Sequence, residues 1–239
     1  MKIEIDTHTH TVLSGHAFST LSENIAAAKE KGLKGIVMTE HGPSMLGGAP
    51  RFLIGTYGIV PEYIEGIRIY RGCEANILNE VGELDIPDKY LKKADFVLAA
   101  MHAECVRPKS IEENTQSMIN ALKNPNVDAL AHPGNPAFAV DIEKVVKYAR
   151  EYNKYVEINS HSFDFRKGSE SVCEEFVKFC MRSKTKICVS SDAHIKYRVG
   201  EFSKAIECLE KYSFPIELIL NATVRSFETQ LGLEHVSEE

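Results

Sequence analysis

The chain has 239 residues, 44% of them hydrophobic and 26% charged, proportions that exclude a disordered or fibrous chain, and its length suits a single domain, 1–239, with a large core. A formal net charge of −6 argues against a broad basic surface for nucleic acid, although bound cations could reverse the sign locally. No stretch approaches the ~20 apolar residues that cross a membrane, and "MKIEID" has neither a long apolar region nor a small-residue cleavage site, so a cytoplasmic location and no membrane partner are expected.

Along the chain, short β-branched runs alternate with amphipathic helices. The first run, "KIEID", leads into "DTHTHTVLSGH", which carries His8, His10 and His16. In "STLSENIAAAKEKG", Thr20 and Glu23 have capping-box spacing and Gly32 suits the stop, which predicts a helix. The second run, "GLKGIVMTE", ends beside His41, and the Gly-rich "SMLGGAPRFLIGTYG" after it reads as a long loop. "GIRIYRGCEAN" contains Glu74, "ADFVLAAMH" ends at His102, and "VDALAHPGN" contains His132. Ile142, Val145, Val146 and Ala149 then form one apolar stripe of a helix before "YVEINS", which ends near Asn159. "SESVCEEFVKFCMRS" is another helix, "KICVSSDAH" is a strand ending in Asp192 and His194, and "FSKAIECLEKY" is a helix. "IELIL" is a weak candidate for an eighth strand.

Strands alternating with helices imply parallel pairing and an α/β fold. In parallel barrels the strand C-termini share one face, so residues remote in sequence converge there. Six of the seven runs end in a possible metal ligand. Positions two apart on a strand share a face, so His8 with His10, and Asp192 with His194, are expected to act as chelating arms. Imidazole with carboxylate suits zinc, iron, manganese or cobalt. A lone histidine is more often a core or surface residue; the joint pattern favours a metal centre. The six cysteines include no CxxC pair and read as reduced, buried filler, with Cys73 turned away from the face of Glu74. His235 falls in an acidic tail and reads as a surface residue, whereas His161 could line the mouth of the site.

The ordered motifs "DTHTHTVLSGH", "MTEHG", "RGCEAN", "MHAE", "AHPGN" and "SSDAH" resemble the PHP family, named for polymerase and histidinol phosphatase, and in particular its short stand-alone YcdX-like phosphatases. "EENTQSMI", "RKGSE" and "GEF" extend the resemblance over nearly the whole chain. It implies a distorted (β/α)7, TIM-barrel-like fold and three divalent metal ions, zinc first, with manganese, iron or cobalt as alternatives. By the same resemblance, His8, His10, Glu74 and Asp192 would hold one ion, and Glu74 would bridge to a second held by His102 and His132. His16, His41 and His194 would hold the third. Glu40 stands where many relatives have aspartate, and His161 where a smaller residue is common.

The implied activity is hydrolysis of a small phosphorylated metabolite by a hydroxide shared between metal ions, with Glu74, Asp192 and His194 in the catalytic centre. Arg166 and Lys167, beyond the sixth run, join His161 as candidate substrate-binding residues because guanidinium and ammonium groups pair with phosphate. A phosphodiesterase or 3′–5′ exonuclease, a histidinol-phosphatase-like enzyme, and a non-enzymatic metal- and phosphate-binding module are the competing readings. Amidohydrolases, which also begin a barrel with HxH, are the structural rival.

Overall fold

The computed structural model describes residues 1–234, so His235 lies outside the described residues. Seven parallel strands follow one another in the order β1-β2-β4-β5-β6-β7-β8. They are β1 (Ile5–Thr9), β2 (Gly35–Met38), β4 (Ile67–Asn76), β5 (Phe96–Ala100), β6 (Ala129–Leu130), β7 (Tyr155–Asn159) and β8 (Ile187–Ser190). The two-residue β3 (Tyr63–Ile64) adds an antiparallel partner to β4. The helices are α1 (Leu21–Glu30), α2 (Leu53–Thr56), α3 (Asp88–Leu91), α4 (Ile111–Leu122), α5 (Ile142–Glu151), α6 (Ser160–Phe165), α7 (Ser169–Ser183), α8 (Ser203–Lys211) and α9 (Val224–Leu231).

The sheet curls until β1 meets β8. Their seam carries one parallel bridge, Thr9 to Ala193, with His10 N donating to Ala193 O at 2.9 Å. Lower down, the Asn221 side chain fills the gap. Its Nδ2 donates to Ile5 O and Val189 O, each at 2.7 Å, and its Oδ1 accepts from Val189 N at 2.9 Å. A barrel with an incomplete ladder would leave these backbone groups buried and unpaired, and one amide side chain satisfies them. The "IELIL" segment therefore forms no eighth barrel strand: Pro215 starts a 3-10 turn at Ile216–Leu218, and only Ile219 bridges to Ile187.

Local signals explain most helix ends. Thr20 Oγ1 accepts from Glu23 N while Glu23 accepts from Thr20 N, and Gly32 follows α1 at φ 71°. A second capping box, Ser110 with Glu113, starts α4. The long Gly-rich loop is less bare than the sequence suggests, since it contains α2 and a 3-10 turn at Tyr57–Ile59.

Strand alternation divides the core in two. On β5, Val97 and Ala99 face the helix layer, where Ala28, Leu122, Val146 and Val177 cover the sheet. Phe96 and Leu98 face inward with Tyr70, Tyr155 and Leu220, and Phe227 from α9 closes that end of the interior. Phe227 is fully buried, its ring centroid 4.7 Å from Tyr70 and 5.5 Å from Phe96. Phe227→Ala is expected to cost about 3–5 kcal/mol of stability, read from the urea midpoint; a loss under about 1 kcal/mol would mean that α9 does not plug the barrel. The apolar plug occupies the amino-terminal ends of the strands and leaves the rest of the interior to polar side chains.

Candidate metal centre

A β-bulge in β1 aims the first two histidines. Asp6 pairs with Ile36 and Thr9 with Met38, so three steps on β1 match two on β2. With plain alternation from Ile5, which packs in the inner core, Thr7 and Thr9 would face inward and both histidines outward. The extra residue reverses this. Asp6, the leading aspartate, stays out of the cluster: it accepts from Ser191 N at 3.1 Å and Gly200 N at 2.8 Å, anchoring the turn that carries Asp192.

The other candidates follow the carboxyl ends of their strands, and two need unusual backbone. His132 has φ 30° and Asp192 φ 53°, values that L-residues adopt only when their surroundings hold them there. Asp192 and His194 thus converge from a turn beyond β8, not from the strand face expected by alternation.

Glu74, fully buried on β4, stands at the centre. Its Oε2 lies 3.4 Å from His8 Nε2, 3.7 Å from His10 Nε2 and 2.6 Å from His41 Nδ1. Its Oε1 lies 3.2 Å from His102 Nε2 and 2.8 Å from His132 Nε2. Asp192 Oδ1 lies 3.5 Å from His8 Nε2, 3.3 Å from His10 Nε2 and 3.5 Å from His194 Nδ1. His16 Nε2 approaches His194 Nε2 at 3.0 Å. All nine positions singled out by the motifs therefore meet in one cluster.

A surrounding layer orients the rings. His8 Nδ1 donates to Glu157 Oε1 at 2.6 Å, His10 Nδ1 to Ser14 Oγ at 3.2 Å, and His102 Nδ1 to Asn76 Oδ1 at 2.7 Å. Each bond fixes a proton on Nδ1 and turns Nε2 inward, the nitrogen that a ligand histidine offers. The orienting groups are themselves held: Ser14 Oγ donates to Glu40 Oε2 at 2.5 Å, and Asn76 Nδ2 donates to Asp85 Oδ2 at 2.7 Å. Glu157 also accepts from Ser190 Oγ at 2.6 Å and from the backbone N of His132. Motif reading does not single out Glu157, although it holds the His8 ring. Its signal was a lone carboxylate inside the apolar run "YVEINS", an expensive residue to bury without a partner.

Charge in this enclosure is tightly coupled. Burial would push His8 down, but Glu157, Asp192 and Glu74 hold it well above the usual imidazole range. Burial would raise Glu74 and Asp192, yet the adjacent imidazoles keep both well below the usual carboxylate range. Burial lowers His132 to about 4, and burial with the neighbouring His41 and His194 holds His10 well below its usual value, the neutral state a ligand needs.

The donor set fits a cation. His8 Nε2, His10 Nε2, both His41 nitrogens and Glu74 Oε2 are buried without a hydrogen-bond partner, although they crowd together. Unpaired polar atoms cost about 1–3 kcal/mol each, so their convergence is intelligible if positive charge sits among them. Among the described residues, three overlapping triplets could hold an ion: His8, His10 and Glu74; His41, Glu74 and His102; and His10, His41 and His194.

The cluster floors a cavity of about 570 Å³ whose walls include Met45, Leu46, Glu104, Asn135, His161 and Arg166. Arg166 reaches Asp192 Oδ2 at 3.2 Å and Ser162 Oγ at 2.9 Å. His161 stacks on Phe165 at 4.1 Å, and burial lowers its pKa to about 4. Lys167, expected beside them, does not line this cavity; it lines a second depression with Gly168 and Glu170, which Arg166 borders from the other side. Arg166 has extended backbone after α6.

The model for the PHP domain family matches residues 6–161. A protein named probable phosphatase from Acetivibrio thermocellus is 47% identical over 228 residues, covering 95% of each chain. Another so named, from Caldicellulosiruptor saccharolyticus, is 44% identical over 227 residues and likewise covers 95% of each. Among solved structures, histidinol phosphate phosphatase from Lactococcus lactis, complexed with zinc, L-histidinol and phosphate, superposes with a TM-score of 0.62. It is 17% identical and the match covers 89% of this chain and 94% of that one, a likeness of fold.

Proposed function

The chain belongs to the PHP domain family, and from that premise we propose that it is a metal-dependent phosphatase that hydrolyses a small phosphorylated metabolite at the carboxyl-terminal face of the barrel. The observation that carries this reading is the division of Glu74: one oxygen faces His8, His10 and His41, the other His102 and His132. A carboxylate so placed suits a bridge between two cations.

In this reading His8, His10, Glu74 and Asp192 hold the first ion, and Glu74, His102 and His132 the second. His16, His41 and His194 hold the third, with zinc favoured by the preponderance of imidazole. Bound divalent ions supply Lewis acidity toward a phosphoryl oxygen and lower the pKa of water. The chain's own residues do the rest. Arg166 offers its guanidinium to the phosphate from the cavity wall, while its contact with Asp192 keeps it oriented. Neutral His161 can donate a hydrogen bond to the ester. Glu157 and Ser14 hold His8 and His10 in the required tautomer.

A cavity of about 570 Å³ has room for a small leaving group beside the phosphate. The net charge of −6 weighs against strand trimming. The test compares release of inorganic phosphate from a panel of monoesters with shortening of labelled single-stranded DNA and RNA. Phosphate release from monoesters alone is expected; trimming without phosphate release would favour the exonuclease.

Glu157→Gln leaves the shape of the residue but weakens its grip on His8 Nδ1. It is expected to lower zinc affinity by about 10- to 100-fold, as loss of an orienting carboxylate behind a ligand histidine does, measured by competition with a chromophoric chelator. Unchanged affinity would show that the carboxylate does not tune His8.

A further inference from the structure

Of the nine clustered residues, His16 alone is exposed, and it sits on a loop after a 3-10 turn at Val12–Ser14. Two glycines meet beside it. Gly15 has φ 74° and Gly47 φ 78°, and their backbones touch: a β-carbon on Gly15 would lie 2.5 Å from Gly47 O and 2.7 Å from Gly47 Cα. A β-carbon on Gly47 would lie 3.2 Å from Gly15 Cα. Only glycine allows both the left-handed conformation and so close a crossing.

The loop behind Gly47 is rooted at His41. Ala49 N donates to His41 O at 2.9 Å, closing its neck, and Gly48 N donates to Met45 O at 2.8 Å within it. Asp85 Oδ2 holds Ser44 N at 2.8 Å. One side of the loop is thus fixed at His41 while its tip presses on the residue before His16. The far side of the His16 loop is tied to the third partner, since Phe18 N donates to His194 O at 2.7 Å. The His16 and His41 rings lie 4.9 Å apart at 24°, and His16 and His194 4.8 Å apart at 29°.

We infer that the Gly15–Gly47 crossing is a positioning device that holds His16 against His41 and His194, so that the outermost cation depends on a loop that contributes no ligand at its tip. The inference rests on the proposed third cation position. It makes Gly15 and Gly47 positioning residues: they act on His16 through the backbone.

The experiment titrates zinc into the full chain against a chromophoric chelator. Gly15→Ala is expected to weaken the most loosely held zinc by about 10- to 100-fold while the tighter zinc stays bound, and Gly47→Ala to do the same to a smaller degree. Gly32→Ala is the control: it has φ 71° but no atom within 4 Å of an added β-carbon, so it shares the backbone strain without the collision. Its zinc affinity is expected to match wild type. Should Gly15→Ala fail to fold by circular dichroism, the milder Gly47→Ala decides. Wild-type zinc binding in both crossing variants overturns the inference alone, as does loss of every ion together. A wild-type chain that binds no zinc overturns the proposed function as well.

Discussion

Glu74→Gln is expected to lower kcat by on the order of 10³-fold, the scale on which removal of a preorganised electrostatic group acts in a water-poor site. The substitution keeps the shape of the side chain and removes the one charge that faces five imidazoles at once. Glutamine can offer one carbonyl oxygen to one side of the cluster but an amide NH₂ to the other, and an NH₂ repels a cation. Metal content is therefore expected to fall along with turnover. Glu217→Gln, on an exposed turn, should remain within about twofold of wild type. Near-normal turnover by Glu74→Gln with full metal content would remove Glu74 from the centre of the account.

Removing metal is expected to destabilise the protein, and to do so more at alkaline than at acid pH. The sign follows from His8, whose folded-state pKa is raised by Glu157, Asp192 and Glu74 against the opposing effect of burial. In the stripped chain a protonated His8 compensates those carboxylates. That contribution is fully present below the ordinary imidazole value and is lost as the pH rises through the raised one. Bound zinc would replace the proton as the compensating charge, so protons would compete with it and its benefit is expected to grow with pH. With zinc at about a thousand times its dissociation constant the stabilisation is ~4 kcal/mol, or roughly 10 °C in Tm for a chain of this size. Thermal melts with and without chelator across the pH range read the difference. A gap that stays constant, or widens toward acid, would contradict the charge logic.

The barrel and the convergence of the candidate ligands could be read from the sequence because both rest on periodic or local signals. The alternation of β-branched runs with stripes such as Val145, Val146 and Ala149 reflects burial, and Thr20 with Glu23 is a self-contained cap. The ligand types recur after successive strands because parallel strands deliver their ends to one place. What escaped reading depends on contacts between remote segments. No residue type announces the bulge between Asp6 and Thr9, yet it alone turns His8 and His10 inward. The left-handed backbone of His132 and Asp192 is likewise imposed by surroundings, since neither residue demands it. Asn221 closes the seam with a side chain where a ladder was the natural expectation, and α9 becomes a plug only after the strands have curled around Phe227. Glu157 was visible but unmarked: its importance comes from the ring of His8, 149 residues away in sequence.

Anomalous X-ray scattering at the zinc edge, from crystals of the zinc-loaded protein, would locate the ions themselves. Peaks are expected on both sides of the Glu74 carboxylate, one shared with His8, His10 and Asp192 and one with His102 and His132, at about 2.0–2.2 Å from the ligand atoms. Zinc bound only elsewhere on the chain, with Glu74 bare of any peak, would contradict it.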